Sequence, residues 1–296
     1  MMPLRVRSGN VTGYEYWYDA NANPTHIHDL VRGSDYSRLL NYDGLDRLTA
    51  AGSASFGGNH WHNFTYNVLD NLTSWKLAGV KDYANYYYDP ETNRLTNILN
   101  SAGASVLGLS YDRQGNLANK NGQTYLFDHG NRLREVSEKE GYHYDGNGRR
   151  IMSWRPDGGL NFSLYGQSGR LWYHEYDAKS LAVENVYLAG SLIASREFNW
   201  SIGTFSTKYH HTDALGSPVA VTNTAAQVTE RTDWEPYGAA IGKPNYEGIG
   251  FTGHMQDAAT GLTYMQQRYY DPSIGLFLSV DPVTAYKNPV GMFNRY

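Results

Sequence analysis

Tyr42-Asp43-Gly44-Leu45-Asp46-Arg47-Leu48 and Tyr111-Asp112-Arg113-Gln114-Gly115-Asn116-Leu117 are two copies of one unit, roughly Tyr-Asp-x-x-Gly-x-Leu. Degraded copies fill the chain around them: Tyr18-Asp19, Tyr66-Asn67 to Leu72, Tyr88-Asp89 to Leu95, Phe127-Asp128 to Leu133 and Tyr144-Asp145 to Arg150. The leading aromatics stand at 18, 42, 66, 88, 111, 127 and 144, so successive gaps are 24, 24, 22, 23, 16 and 17 residues. A period near twenty marks an array of one supersecondary unit. Each unit reads as strand, turn, strand. The aromatic closes a strand with its ring on the packed face, and the following Asp faces away because strand side chains alternate. Asp bonds its own backbone two residues on and opens a turn. Gly or Asn supplies the positive φ of the hairpin, and Leu restarts the next strand pointing inward. The expectation is an all-β chain, a ribbon of β-hairpins whose Tyr, Asp and Gly residues are architectural. Period alone leaves rod, propeller and hollow shell open, since two units match a propeller blade of about 40–45 residues.

Composition agrees. The 296 residues include 26 Tyr and 31 Gly, which suit many short strands joined by tight turns. Net charge is −4 and the basic residues are scattered, which argues against a nucleic-acid footprint. With no cysteine, disulfides and cysteine-ligated metal are excluded. No apolar run is long enough to span a membrane, and Met1-Met2-Pro3-Leu4-Arg5-Val6-Arg7 is too short and polar for a signal peptide.

From about residue 187 the pattern changes. Tyr187-Leu188-Ala189-Gly190 leads to Tyr209-His210-His211-Thr212-Asp213-Ala214-Leu215-Gly216-Ser217-Pro218, then to Trp234-Glu235-Pro236-Tyr237-Gly238 and Phe251-Thr252-Gly253. The segment runs on through Arg268-Tyr269-Tyr270-Asp271-Pro272-Ser273-Ile274-Gly275-Leu276-Phe277-Leu278-Ser279-Val280-Asp281-Pro282. In combination these motifs resemble the C-terminal part of Rhs proteins: YD repeats over 1–186, followed by the Rhs repeat-associated core segment over 187–296.

The resemblance implies a ribbon wound into a large hollow β-shell, closed at one end by the core segment, with a variable toxic domain following and lying inside. Bacterial members act in interbacterial killing, often on a type VI secretion machine, and insecticidal toxin complexes and teneurins carry related shells. By this likeness the chain is expected to be an open piece of a polymorphic-toxin shell. It begins among the repeats and stops at Asn294-Arg295-Tyr296, before the cleavage point and the toxin. Expected partners are the remainder of the shell, its toxin cargo and the spike proteins of a secretion machine, with neither nucleic acid nor membrane span. Export is expected through a specialised system without a signal peptide, from a cytoplasmic precursor. Uncovered strand edges are expected to make the chain self-associate.

In relatives the residues matching Arg268, Asp271 and Asp281 belong to an aspartic autoprotease that frees the toxin. Two carboxylates sharing one proton let one act as base toward water while the other polarises the carbonyl. The residues themselves show two Asp-Pro steps with Gly275 between them, and Asp-Pro pairs also simply start turns. A third reading, a carbohydrate-binding or adhesion module, would use exposed Tyr and Trp. Neither cofactor nor metal is implied. His26-Ile27-His28 and His60-Trp61-His62 put two rings on one strand face yet lack further ligands. Asp145-Gly146-Asn147-Gly148 opens like a calcium loop but reaches Pro156 at the twelfth position, so it reads as a hairpin turn. His210-His211 with Asp213 lacks a nucleophile motif, and Leu215-Gly216-Ser217-Pro218 reads as a turn.

Overall fold

The turn at Asp43 shows how the ribbon is made. Strand Arg38–Tyr42 ends on the tyrosine. The Asp43 N–H then donates to the Arg47 carbonyl at 3.0 Å, and its Oδ1 accepts from the N–H groups of Leu45 and Arg47 at 3.0 Å each. Asp46 takes φ +62°, and the register slips between Asn41 and Tyr42 so that Tyr42 pairs with Leu48. This is a three-residue hairpin loop closed by a left-handed residue and a bulge. The carboxylate holds two N–H groups that the tight loop leaves without strand partners, which is why a short acceptor side chain stands there. The same double acceptance recurs at Asp19, Asn67, Asp128, Asp145 and Asp213. The positive φ falls on the third residue after each of these, supplied by Ala22, Asp70, Asn131, Gly148 and Gly216. Gly44 is therefore not the positive-φ residue of its unit. Asp46 takes that place, because Asp and Asn tolerate the left-handed region as single residues.

The tyrosines do more than fill the packed face. Tyr66 Oη donates to the Leu48 carbonyl at 2.7 Å, Tyr88 Oη to Leu72 at 2.8 Å and Tyr111 Oη to Leu95 at 2.9 Å. Tyr144 reaches Leu133 and Tyr187 reaches Leu171 in the same way. Each hydroxyl thus ties one unit to the leucine that restarts the strand of the unit before it. Turn side chains add a second tie: Arg47 Nη1 donates to Asp70 at 2.9 Å, and Asn71 Nδ2 to Asn93 at 2.9 Å. Tyr66→Phe removes one such tie and is expected to cost about 1 kcal/mol in urea unfolding. A loss indistinguishable from zero would show that the ring alone serves the repeat.

The structure, a computed structural model, describes residues 4–281. The expectations placed on the first three residues and on Asn294–Tyr296 lie outside them. Residues 4–112 and 117–122 with Asp281 form one compact unit, and 113–116 with 123–280 form another. The fold is all-β, with only short 3-10 turns and no α-helix among the described residues.

The first unit has an eight-stranded antiparallel sheet in chain order, from Arg5–Ser8 to Lys81–Tyr83. The strands Asn85–Tyr88, Leu95–Leu99, Ser105–Tyr111 and Leu117–Lys120 then pair in sequence. Its core gathers Phe56, Phe64, Trp75, Leu77 and Ile98. At Gly52 a Cβ would stand 2.6 Å from the Trp61 ring of the paired strand, so the glycine is needed for the indole to lie across it.

In the second unit the ribbon continues in order from Gln123–Phe127 to Val228–Arg231. A separate five-stranded antiparallel sheet holds Gly248–Ile249, Met255–Asp257, Leu262–Met265, Arg268–Asp271 and Leu276–Phe277. Tyr142, Trp234, Tyr264 and Leu262 are among its fully buried side chains. The outermost strands Arg5–Ser8 and Val228–Arg231 are short and carry Arg5, Arg7, Glu230 and Arg231, the charged and brief edges that discourage further pairing.

Candidate functional site

The carboxylates singled out in the sequence take different places. Arg268 and Asp271 open and close one strand of the five-stranded sheet. Alternation puts Arg268 on one face, where its guanidinium lies 3.6 Å over the Phe277 ring. Asp271 shares the other face with Tyr269. It is 2% exposed, and its Oδ1 accepts from the Ser273 N–H at 2.9 Å and the Ser273 hydroxyl at 2.6 Å. The Asp271 carbonyl accepts from the Gly275 N–H at 2.9 Å, and Gly275 takes φ +73° before the chain turns back into Leu276–Phe277. Asp271 therefore heads a tight Asx turn, as Asp-Pro steps do. Asp281 is half-buried, is the last described residue and belongs to the first unit.

A second cluster, in the second unit, is absent from the sequence reading. Arg150 occupies the position where other units bury Leu72, Leu95, Leu117 or Leu133, six or seven residues after the leading aromatic. It is 2% exposed. Its guanidinium forms a two-bond fork with Asp257, at 2.5 and 2.9 Å, and also donates to Tyr269 Oη at 3.1 Å. Its own N–H donates to Tyr264 Oη at 2.8 Å. Against the pull of burial, the Asp257 charge holds Arg150 well above its ordinary value.

Glu140, 1% exposed, lies in the same interior. It accepts from Tyr142 Oη at 3.1 Å and Ser153 Oγ at 3.0 Å. Burial, with the Asp257 charge second, pushes Glu140 up to about 7, while Arg150 and Arg155 pull it back. Arg155 and Lys179 both bind Glu247. The cluster clamps the ribbon strands Glu140–Tyr144 and Arg150–Trp154 to the five-stranded sheet. Bidentate geometry and shared hydrogen bonds are what make so buried a set of charges tolerable. The one signal in the sequence was the arginine at a leucine position.

The histidine pairs separate as well. His26 and His28 lie on one face of Pro24–Asp29 with ring centroids 6.0 Å apart, both against Trp17. His60 and His62 do not share a face: His60 precedes the strand, exposed at φ +68°, whereas His62 is fully buried. That corrects the alternation expected for them, because the turn before Trp61 breaks the strand period. His62 Nδ1 accepts from Trp75 Nε1 at 2.9 Å. Among the described residues no three His, Asp or Glu side chains converge as metal ligands do. Asp145 forms the hairpin turn expected of it, and Ser217, fully buried in the turn before Pro218, accepts from the Thr252 N–H at 3.0 Å. No helix among the described residues is long and apolar enough to cross a membrane.

Residues 4–296 match the family model of the teneurin YD-shell. Over 280 residues the chain is 26% identical to the tRNA3(Ser)-specific nuclease WapA of Bacillus spizizenii, an alignment covering 92% of this chain and 10% of that protein. It is 27% identical over 294 residues to the probable deoxyribonuclease RhsB of Dickeya dadantii, covering 86% of this chain and 20% of the relative. The crystal structure of TcdB2-TccC3-Cdc42 shares the fold with a TM-score of 0.61 at 19% identity, covering 99% of this chain and 18% of that one. The chain thus spans between a tenth and a fifth of the length of these proteins.

Proposed function

Because the chain belongs to the teneurin YD-shell family, the YD-repeat shell proteins that include Rhs toxins, we propose that it is a wall segment of a shell that houses and delivers a toxic domain. The observation that carries this is the hydroxyl-to-carbonyl tie that Tyr66, Tyr88 and Tyr111 each make to the preceding unit. Such ties make the ribbon its own scaffold, with each unit stabilised chiefly by its neighbours. The nuclease activities named for WapA and RhsB belong to those proteins, and the housing is the role assigned to this chain. Residues 1–186 are its YD repeats and 187–296 its core segment. Its partners are the rest of the shell, the toxin and a secretion machine's spike proteins, with export by a specialised route such as type VI secretion. Charged, brief edge strands bear on self-association, which sedimentation of the chain would measure.

The test is made on the full-length protein in which the chain occurs. Electron microscopy is expected to show a hollow particle, and a toxic domain should resist protease until the shell is unfolded. A solid particle, or a domain digested at once, would refute the housing role.

A second reading assigns Asp271, Asp281 and Arg268 to self-cleavage. Its support is the burial of the Asp271 carboxylate, 2% exposed at the first of the two Asp-Pro steps. The expected result is two fragments by exact mass from the full-length parent and one intact chain from Asp271→Asn. Equal cleavage of both, or of neither, would remove the protease from the account.

A further inference from the structure

Among the described residues, His26 and His28 are the one pair of imidazoles that the strand period sets side by side toward solvent. His210 and His211 are adjacent in a strand and so point to opposite faces. His62 is buried away from His60, and His129 and His143 are exposed with no histidine two residues away. Pro24–Asp29 pairs with Thr12–Tyr18 in a register that sets Trp17 opposite His26 and Glu15 opposite His28. Tyr14 and Tyr16 alternate with these residues and are buried, so Glu15, Trp17, His26 and His28 share the solvent face of the first unit's sheet.

The two rings are close to a chelating arrangement. Their centroids lie 6.0 Å apart at a tilt of 37°, and Trp17 stands against both, 4.8 Å from His26 and 6.3 Å from His28. Two imidazole nitrogens bound to one ion at about 2.0–2.1 Å would hold their ring centroids roughly 4.5–5.5 Å apart. A small turn of the two side chains closes that difference, and nothing polar opposes it. Neither imidazole makes a side-chain hydrogen bond or ion pair among the described residues, nor does the Glu15 carboxylate. None of the three is buried.

The chemistry of the pair narrows the ligand. Imidazole nitrogen suits copper, nickel and zinc, whereas calcium and magnesium take oxygen. Glu15 places a negative charge beside the pair without converging as a third ligand, and Arg5 stands beyond it on the edge strand. We propose that His26 and His28 chelate a late first-row divalent cation, copper(II) ahead of nickel(II) and zinc(II) in the general order of affinity, with water in the remaining positions. The second imidazole closes onto an ion that the first already holds, which raises affinity about a hundredfold over a lone histidine. Chelation does not depend on the shell reading and stands if that reading fails.

The probe is copper(II) alone, titrated into the whole chain in a glycine buffer that outcompetes single imidazoles. The parent is expected to hold one tight ion with two nitrogen couplings in its electron paramagnetic resonance spectrum. Binding should quench fluorescence from Trp17, and Trp17→Phe should remove that quench. His26→Ala and His28→Ala should each bind at least about tenfold more weakly. His60→Ala and His143→Ala, which alter exposed lone imidazoles, should bind as the parent does. Circular dichroism establishes that each variant is folded, and His26→Thr or His28→Thr, with a better strand former, replaces an alanine variant that is not. A parent that glycine strips of copper, or parent affinity in a folded variant of either His26 or His28, would overturn the proposal.

Discussion

Arg150→Met is expected to destabilise the second unit by about 3–5 kcal/mol, the cost of leaving one partner of a buried ion pair alone. The side chain is 2% exposed and Asp257 4%, so removing the guanidinium strands a carboxylate where water cannot reach it. Tyr269 and Tyr264 would not compensate, because a phenol contributes one donor where the fork supplied two charged ones. The double variant Arg150→Met/Asp257→Leu should recover most of the loss, since a well-packed apolar pair of similar volume often equals a buried ion pair. Urea unfolding of the parent, both single variants and the double variant gives the coupling directly. If Arg150→Met loses less than about 1 kcal/mol, as exposed pairs do, the clamp reading is wrong.

Acid should weaken the protein well above the range in which its surface carboxylates titrate. Burial, aided by Lys81, depresses His62 to about 4. Burial, with Arg150 and Lys179, depresses His174 to about 3, and burial with Lys208 takes His210 to about 4 although Glu197 and Glu230 oppose it. A histidine lowered in the folded state is neutral there while the unfolded chain takes up its proton. The stability is present above about pH 6.5 and is lost as pH falls toward 4. Between pH 7.5 and 5.0 each fully buried imidazole should cost about 2 kcal/mol, and the half-buried His210 less.

Glu140 works in the opposite sense. Its folded value is raised, so its proton favours the fold, and that contribution is complete below about pH 4.5 and lost as pH rises through about 7. On acidification it returns about 2 kcal/mol to the second unit. Glu140→Gln should therefore be more stable than the parent at pH 7.5, similar at pH 5.0, and steeper in its acid loss. Denaturant titrations at the two pH values check this, and a parent that gains stability on acidification would contradict the buried neutral imidazoles.

The turn chemistry was legible because it is local. Asp at the head of a hairpin bonds N–H groups two and four residues on, and a left-handed residue must follow, so Asp43, Asp128 and Asp145 declare their turns within a few residues. The arrest of the His60-Trp61-His62 alternation was not legible, since it depends on where the strand starts. The tyrosine hydroxyl bonds were hidden for a similar reason: their acceptors are backbone carbonyls, which carry no residue signature. Arg150 lay in plain view as an arginine at a leucine position, yet its meaning required Asp257, 107 positions away.

By itself, then, the sequence determined the all-β ribbon, its hairpin turns and its likeness to YD-repeat shells, because period, strand alternation and turn preference act over short stretches of chain. Only the tertiary structure decided that Arg150, Glu140 and Asp257 share one dry interior. Charges so far apart in sequence interact strongly only when folding has removed the water between them.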